Sequence, residues 1–150
     1  MNTSTQVYKL IWMSRPLMQA AEAAVEKGLN GTNLTVRMRA VLEILHTHGQ
    51  ATVPDIARNL DIKRQYVQLM INETLVADLT VKRKNPRHKR STIITLTDKG
   101  RALIETVIQH ENALLKSIGE GLEDTDVETA LNVVLTLIKS LKSNNGDQTA

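Results

Sequence analysis

The side chains in this chain that are best suited to recognising another molecule lie between residues 63 and 90. Arg64, Gln65 and Gln68 stand close together, and arginine can form a bidentate pair of hydrogen bonds with guanine, as glutamine can with adenine. Seven of the nine side chains from 82 to 90 are basic or can become so: Lys82, Arg83, Lys84, Arg87, His88, Lys89 and Arg90. Charge this dense repels itself unless an anion lies against it. Both groups therefore indicate a polyanionic partner.

The distribution of charge along the 150 residues supports the same conclusion. The net charge is only +3, but Lys and Arg outnumber Asp and Glu by 11 to 5 in residues 52–101, against 5 to 3 before this segment and 3 to 8 after it. Nucleic acid is the polyanion that basic modules most commonly meet, although an acidic protein surface satisfies the same field. Tyr8, Trp12 and Tyr66 are too few aromatic side chains for binding single strands by base stacking, so double-stranded DNA is the expected partner.

Several other classes of protein are excluded by composition and motif. The chain has no cysteine, so it has no disulfide, thiolate metal site or Cys nucleophile. His46 and His48 point to different helix faces without further ligands, so neither a metal nor a cofactor is expected. No phosphate-binding loop or nucleophile elbow is present, so an enzyme is not expected. The longest apolar run near the N-terminus, Leu10 to Met13, is too short for a membrane span or a signal peptide, which predicts a cytoplasmic protein.

The elements that must position the basic side chains are predicted from hydrophobic periodicity. A chain of this length, 41% apolar, is expected to form a single domain over residues 1–150. The predicted elements are, in order, helices over 7–28, 35–49, 52–60 and 63–78, strands over 79–84 and 92–97, and helices over 97–119 and 125–141. The fold class is therefore mainly α with a small β-hairpin, and the basic loop 85–90 joins the two strands.

Local signals set the expected helix boundaries. Thr35 and Thr52 have the side chain of an N-cap, and Thr125 with Glu128 three residues later matches a capping box. Pro16 marks a break, a kink or a restart in the first helix, because proline has no N–H to donate. Apolar residues crowd more than one face of the last helix, which predicts that a second subunit covers it.

Two segments together resemble the MarR family of bacterial and archaeal regulators: LTVRMRAVLEIL, and ATVPDIARNLDIKRQYVQLMINETLVADLTVKRKNPRHKRSTIITLTDKGRALIE. The resemblance covers roughly residues 7–141 and is strongest over 35–105, where the hairpin closes with L-T-x-x-G-x-x-L. It implies a winged helix-turn-helix lobe over 35–97 and a homodimer held by helices within 7–28 and 98–141. It also implies that recognition helix 63–78 enters the major groove of a pseudo-palindromic operator, while wing 79–97 lies on the backbone or in the minor groove.

The residue types and the resemblance together predict three sets of functional side chains. The expected DNA contacts are Thr52, Lys63, Arg64, Gln65, Tyr66, Gln68, Asn72, Lys82, Lys84, Arg87, His88, Lys89 and Arg90. The expected dimer contacts are Leu10, Val127, Leu131, Val134, Leu135, Ile138 and Leu141. The resemblance also implies release of DNA when a small, often aromatic, anion enters a cleft between the dimer helices and the lobe. Trp12, Arg15, Arg39 and His46 border that expected cleft, with packing or a surface role as the alternative.

The chain departs from the family pattern at three positions. His88 stands where the wing often has an Asp that braces its tip, and Leu69 stands where a basic DNA contact is common. Lys63 takes the place of a frequent Ser cap, so Asp61 is the expected cap of helix 63–78.

The predicted function is therefore a sequence-specific regulator of transcription, associated with the nucleoid of a bacterium or an archaeon and acting as a repressor or an activator. The alternative is a winged-helix interaction module whose basic face binds an acidic partner protein.

Overall fold

The chain forms six helices and one antiparallel pair of strands in the computed structural model, which describes residues 2–146. The elements are α1 Thr3–Gly28, α2 Val36–His48, α3 Val53–Leu60, α4 Arg64–Val76, β1 Thr80–Lys84, β2 Thr92–Leu96, α5 Asp98–Gly119 and α6 Asp124–Asn144. The prediction of a mainly helical chain with a small β-hairpin is confirmed. In the described part of the chain no helix combines the length and the apolar character needed to cross a membrane.

Contacts divide the chain into two compact units, and the boundary falls within α5, between Glu111 and Asn112. The first unit contains the hydrophobic core, where amphipathic helices place apolar side chains at helical spacing on the inward face. Its fully buried large side chains are Val41, Leu42, Leu45, Ile56, Val67, Ile71, Ile94 and Ile104, together with Thr74. The second unit holds the end of α5 and the whole of α6, and α6 has no buried side chain.

The hairpin is anchored to the rest of the first unit at two places. Residues Thr80 and Leu96 are paired at its base and Lys84 and Thr92 at its outer end. The backbone of Ala51, just before α3, exchanges two hydrogen bonds with Ile94 at 2.8 and 3.1 Å. On the other edge, the hydroxyl groups of Thr74 and Thr80 lie 2.8 Å apart in the core. These contacts fix the direction in which the hairpin leaves the core.

The junction between the hairpin and α5 depends on a threonine and a glycine. Thr97 accepts a hydrogen bond from the Gly100 N–H at 3.0 Å through its hydroxyl group, which is the geometry of an N-cap. The same hydroxyl donates to the Asp78 carbonyl at 2.7 Å, and the Thr97 N–H donates to the Leu79 carbonyl at 3.0 Å. Gly100 is buried at this point, directly against the Leu79 backbone.

Two of the predicted helix caps are confirmed. Thr35 accepts from the Met38 N–H and Thr52 accepts from the Asp55 N–H, each with extended backbone. The Asp55 carboxylate accepts in return from the Thr52 N–H at 2.9 Å, which completes a capping box.

Other expected boundaries are wrong. Asp61 does not cap α4: it adopts the left-handed conformation, with φ of 55°, as the residue that ends α3. Lys63 occupies the N-cap position of α4 without a side-chain cap. Thr125 lies inside α6, which begins one residue earlier, so the expected capping box does not form. Negative side chains in the first turn, Asp124 and Asp126, instead complement the positive end of the helix.

The first helix is longer than predicted. It begins at Thr3 because the Asn2 side chain accepts a hydrogen bond from the Thr5 N–H at 2.8 Å. It continues through Pro16 without a break or restart. A missing donor at one position removes one backbone hydrogen bond, and the rest of a 26-residue helix remains to hold the conformation.

Candidate nucleic-acid interface

Helix α4 presents a core-facing side and an outward side with different chemistry. Its buried side chains are Val67, Met70, Ile71 and Thr74, which pack towards α2 and α3. Successive residues of a helix are about 100° apart around its axis. On this basis the side of α4 opposite the four buried residues carries Gln65, Leu69, Asn72 and Val76. Lys63, Arg64, Gln65, Tyr66 and Asn72 are all exposed, and Gln68 is half-buried. The predicted recognition residues therefore lie outside the core, near the start and middle of the helix.

Two amide side chains on this helix are held in a defined arrangement. The Gln68 amide Nε2 donates to the Asn72 Oδ1 at 2.9 Å, one helical turn further along. This leaves the Gln68 carbonyl as an acceptor and the Asn72 amide as a donor. Adenine presents one donor, N6, and one acceptor, N7, in the major groove. The pair is thus chemically complementary to the exposed edge of adenine.

The basic hairpin carries its charge on exposed side chains. Val81, Lys82, Arg83 and Lys84 in β1 are exposed, as are all residues from 86 to 90. Arg83 donates from Nε to the Thr95 hydroxyl on the paired strand at 3.3 Å. Lys82, Lys84, Arg87, His88, Lys89 and Arg90, the predicted wing contacts, therefore share one exposed hairpin.

Asn85 organises the tip of the hairpin, a role that our reading of the sequence missed. Its amide donates to the Ser91 hydroxyl at 2.7 Å and its carbonyl oxygen accepts from the Arg87 N–H at 3.0 Å. The Ser91 N–H closes a second turn onto the His88 carbonyl at 3.1 Å. The Asn-Pro pair at 85–86, which favours a turn, was the available signal in the sequence.

The basic side chains of helix and hairpin have no internal counter-charges. Within residues 2–146 none of the following forms an ion pair with a carboxylate: Lys63, Arg64, Lys82, Arg83, Lys84, Arg87, Lys89 and Arg90. Three arginines elsewhere in the same unit are paired with carboxylates: Arg37 with Glu73 at 3.1 Å, Arg39 with Glu43 and Glu111, and Arg58 with Asp55 at 2.5 Å. Eight positive charges without an ion pair therefore lie between residues 63 and 90, on or beside the two elements predicted to contact DNA.

Thr52 lies close to the wing tip, but its polar groups are occupied by the capping box. It lines a cavity of about 470 Å³ together with Asp55, Asn85 and Arg87. The hydrogen bond from the Thr52 N–H, followed by weaker contributions from its hydroxyl group and Arg58, lowers the pKa of the Asp55 carboxyl. Thr52 thus positions the start of α3 beside the wing.

The four side chains predicted for an effector cleft fall into two groups. On α1, the Arg15 guanidinium lies 5.7 Å from the centre of the exposed Trp12 ring. On α2, Arg39 donates to both carboxylate oxygens of Glu111, at 2.6 Å from Nε, and to Glu43 at 2.5 Å. The hydrogen bond with Glu111 is the main reason that the pKa of Arg39 is raised. His46 lies 3.3 Å from the Glu105 carboxylate, so both α2 groups face carboxylates of α5.

An open groove between α2 and α4 was not anticipated from the sequence. It has a volume of about 1000 Å³, and its walls are mainly apolar. Tyr66, predicted as a DNA contact, lines it together with Ile62, Leu69 and Val76, and so does the Arg37–Glu73 ion pair. The available signal in the sequence was the helical spacing of four, three and seven residues between Ile62, Tyr66, Leu69 and Val76.

The predicted dimer residues are exposed in the single chain. Leu10 on α1 and all six residues on α6 are large apolar side chains with 39–57% of their surface accessible: Val127, Leu131, Val134, Leu135, Ile138 and Leu141. Exposed apolar surface of this kind marks an interaction site.

Comparison with known proteins places this arrangement in a family. No protein-family model matches the chain. The solved structure of a MarR family transcription regulator is 32% identical to it and superposes with a TM-score of 0.88, over 97% of this chain and 96% of that one. The chain belongs to the MarR family. The relatives of described function are transcription regulators: this MarR family protein and two HTH-type regulators of Bacillus subtilis.

Two further relatives extend this comparison. A protein of Mycobacterium tuberculosis is 27% identical over 92 residues, and this match spans 61% of our chain and 64%, less than two thirds, of the mycobacterial protein. A mutant of MarR from Escherichia coli, solved with operator DNA, is 18% identical, with a TM-score of 0.75 over 92% of our chain and 99% of that one. At 18% identity this similarity shows that the two chains share a fold, and it shows nothing further about function.

Proposed function

We propose that this MarR-family protein is a homodimeric regulator that binds a pseudo-palindromic operator in double-stranded DNA. Helix α4 enters the major groove, where Arg64, Gln65, Gln68 and Asn72 contact base edges. The wing, the hairpin from 79 to 97, lies on the backbone or in the minor groove with Lys82, Lys84, Arg87, His88, Lys89 and Arg90. Lys63 and Tyr66 complete the contacts to phosphates, and Thr52 positions the start of α3 beside the wing.

The observation that carries this proposal is the unpaired charge on α4 and the wing. Arg37, Arg39 and Arg58 of the same unit each have a carboxylate partner, whereas the described part of the chain offers none to Arg64 or to the basic wing residues. Binding DNA neutralises such charges and releases counterions. The fold supports the same conclusion, because relatives with this fold include a complex with operator DNA.

The homodimer is supported by the apolar side chains that α6 exposes. Leu135 and Ile138 are 53% and 47% accessible and lie on one side of the helix. Replacing both with Lys would bury charges at an apolar interface, which is strongly unfavourable. We expect Leu135→Lys with Ile138→Lys to give a monomer or an unfolded chain in sedimentation experiments. Ser140→Lys, on the opposite side of α6 by about 100° per residue, is the matched control. A folded double variant that still sediments as a dimer would place the interface elsewhere.

Selection from random pools of duplex DNA at one salt concentration tests the proposed function. We expect enrichment of a sequence with two related halves, spaced by about one turn of DNA, 10–10.5 base pairs, or a multiple of it. A basic module that binds an acidic protein would also lose affinity with salt, but it would enrich no sequence. Failure to enrich any motif would therefore favour the protein-interaction alternative.

The separate contributions of helix and wing can be resolved with variants. Arg64→Ala should cost about 1–3 kcal/mol on the selected site and little on random DNA. Replacing Lys89 and Arg90 with Ala should weaken binding to all sequences and reduce the salt dependence by about one unit per lost phosphate contact in each subunit. Lys27→Ala, which removes a charge from α1, is the control. The reverse pattern of losses would exchange the roles of helix and wing.

The proposal includes a small-molecule effector that releases the protein from DNA. Trp12 and Arg15 offer an aromatic face and a cation on α1, but Arg39 and His46 face Glu111 and Glu105. An anionic effector bound there would compete with these carboxylates. Isothermal titration of the protein with aromatic carboxylates, compared between wild type and Arg15→Ala, tests it: loss of a measurable binding signal in the variant supports a site at Arg15.

A further inference from the structure

Leu69 is a large apolar side chain in a place where the proposed function requires contact with DNA. It is 59% exposed and belongs to the middle of α4. We take the outward direction of α4 as the one opposite its buried side chains. With about 100° between successive residues around the helix axis, Leu69 lies roughly 30° from this direction, and Arg64 and Gln68 lie further from it. One turn before it stands Gln65, and three residues after it stands Asn72, both exposed. Leu69 is therefore near the centre of the outward surface of α4.

The chemistry of leucine restricts what it can contact in the major groove. It has no hydrogen-bond donor, so it cannot bind a phosphate or a base nitrogen. The major groove offers one exposed apolar group, the C5-methyl group of thymine, which apolar side chains contact. Thymine pairs with adenine, and the Gln68–Asn72 pair beside Leu69 presents the acceptor and donor that adenine complements. The two features favour the same base pairs.

We propose that Leu69 contacts the C5-methyl group of a thymine in each half of the operator and is a specificity-determining residue of α4. This rests on the proposed function, because α4 must lie in the major groove. Leu69 supplies a preference for A·T pairs at one position of each half-site. A basic side chain there would contact phosphate and add affinity for every sequence.

Leu69 also lines the open groove between α2 and α4, which gives a competing role to distinguish. Val76 lines the same groove and is 90% exposed, but it is the last residue of α4. Recognition helices contact bases mainly through their N-terminal residues. Val76→Ala therefore disturbs the groove while leaving the base contacts in place, and it is the matched control for Leu69→Ala.

Replacing single thymines of the selected operator with deoxyuridine tests the proposal, because uracil keeps the pairing edge and lacks only the methyl group. We expect one position per half-site at which wild-type Kd rises about fourfold for each methyl group removed, the effect of one buried group of this size. Leu69→Ala, which removes the contact from both half-sites at once, should bind the unmodified operator about sixteenfold more weakly and show no further loss with uracil. Leu69→Met, which keeps apolar volume, should retain most of the penalty, and Val76→Ala all of it.

Two results would overturn the proposal: a wild-type protein indifferent to uracil at every position, or a Leu69→Ala variant that keeps the full penalty. Either could occur while wild type still prefers the unmodified operator over random DNA, in which case the proposed function stands and only the role of Leu69 fails. Absence of any sequence preference overturns both.

Discussion

Gly100 provides the sharpest test of how the first unit is assembled. A Cβ atom at this position would lie 2.0 Å from the Leu79 carbonyl oxygen and 2.9 Å from its carbon. The obstacle is backbone, and the same carbonyl accepts the hydrogen bond from the Thr97 N–H. Gly100→Ala therefore forces apart the turn that leads into β1 and the first turn of α5.

The expected magnitude follows from two opposing effects. Alanine in a helix is favoured over glycine by about 1 kcal/mol. Overpacking typically costs about 1–3 kcal/mol and sometimes more. A contact at 2.0 Å requires a backbone shift, so the cost of Gly100→Ala lies at or beyond the upper end of that range. We expect a net loss of about 2 kcal/mol or more in the free energy of unfolding. For a unit of this size that lowers Tm by about 8 °C.

Thermal unfolding followed by circular dichroism measures this loss, at one protomer concentration because dimerisation would shift Tm. Gly119→Ala is the matched control, since it lies in the same helix and a Cβ there meets no atom within 4 Å. Its Tm should stay level or rise slightly. Equal Tm values for the two variants would refute the close approach of α5 to Leu79.

Four further predictions concern the ion pair on α2, the cap of α3, the pH dependence of that cap, and the wing tip. Arg39→Met leaves the largely buried Glu111 without its partner and should cost about 1–3 kcal/mol in urea unfolding, with part of the loss recovered when Glu111→Gln is added. Thr52→Ala should cost about 1 kcal/mol. Folding lowers the pKa of Asp55, so its carboxylate stabilises the folded state above the ordinary pKa of 3.8. This stabilisation is lost as pH falls through the lower pKa of the folded state. The difference in Tm between wild type and Asp55→Asn should therefore disappear in acid. Asn85→Ala should weaken binding to operator and random DNA alike in fluorescence anisotropy, and a selective loss on the operator would contradict a role limited to the wing tip.

Features governed by near neighbours could be predicted from the sequence. Thr35 and Thr52 act as N-caps because each accepts a hydrogen bond from an N–H only three residues away. The alternation around β1 and the β-branched residues of β2 likewise predicted the hairpin, and the charge run placed the wing. Where several local signals competed, prediction failed: Thr125 and Glu128 match a capping box, but α6 begins at Asp124.

What the sequence by itself determined is the order of the elements, the amphipathic faces of the helices, and the concentration of basic residues between 63 and 90, because periodicity and composition act over a few residues at a time. Tertiary structure alone decided which side chains meet across the fold. Arg39, predicted to border an effector cleft, forms its ion pair with Glu111, 72 residues away. Asn85 braces the wing only because the hairpin brings Ser91 within 2.7 Å. Gly100 is required only because Leu79 approaches it. Such partners depend on the packing of whole elements, which no local pattern contains.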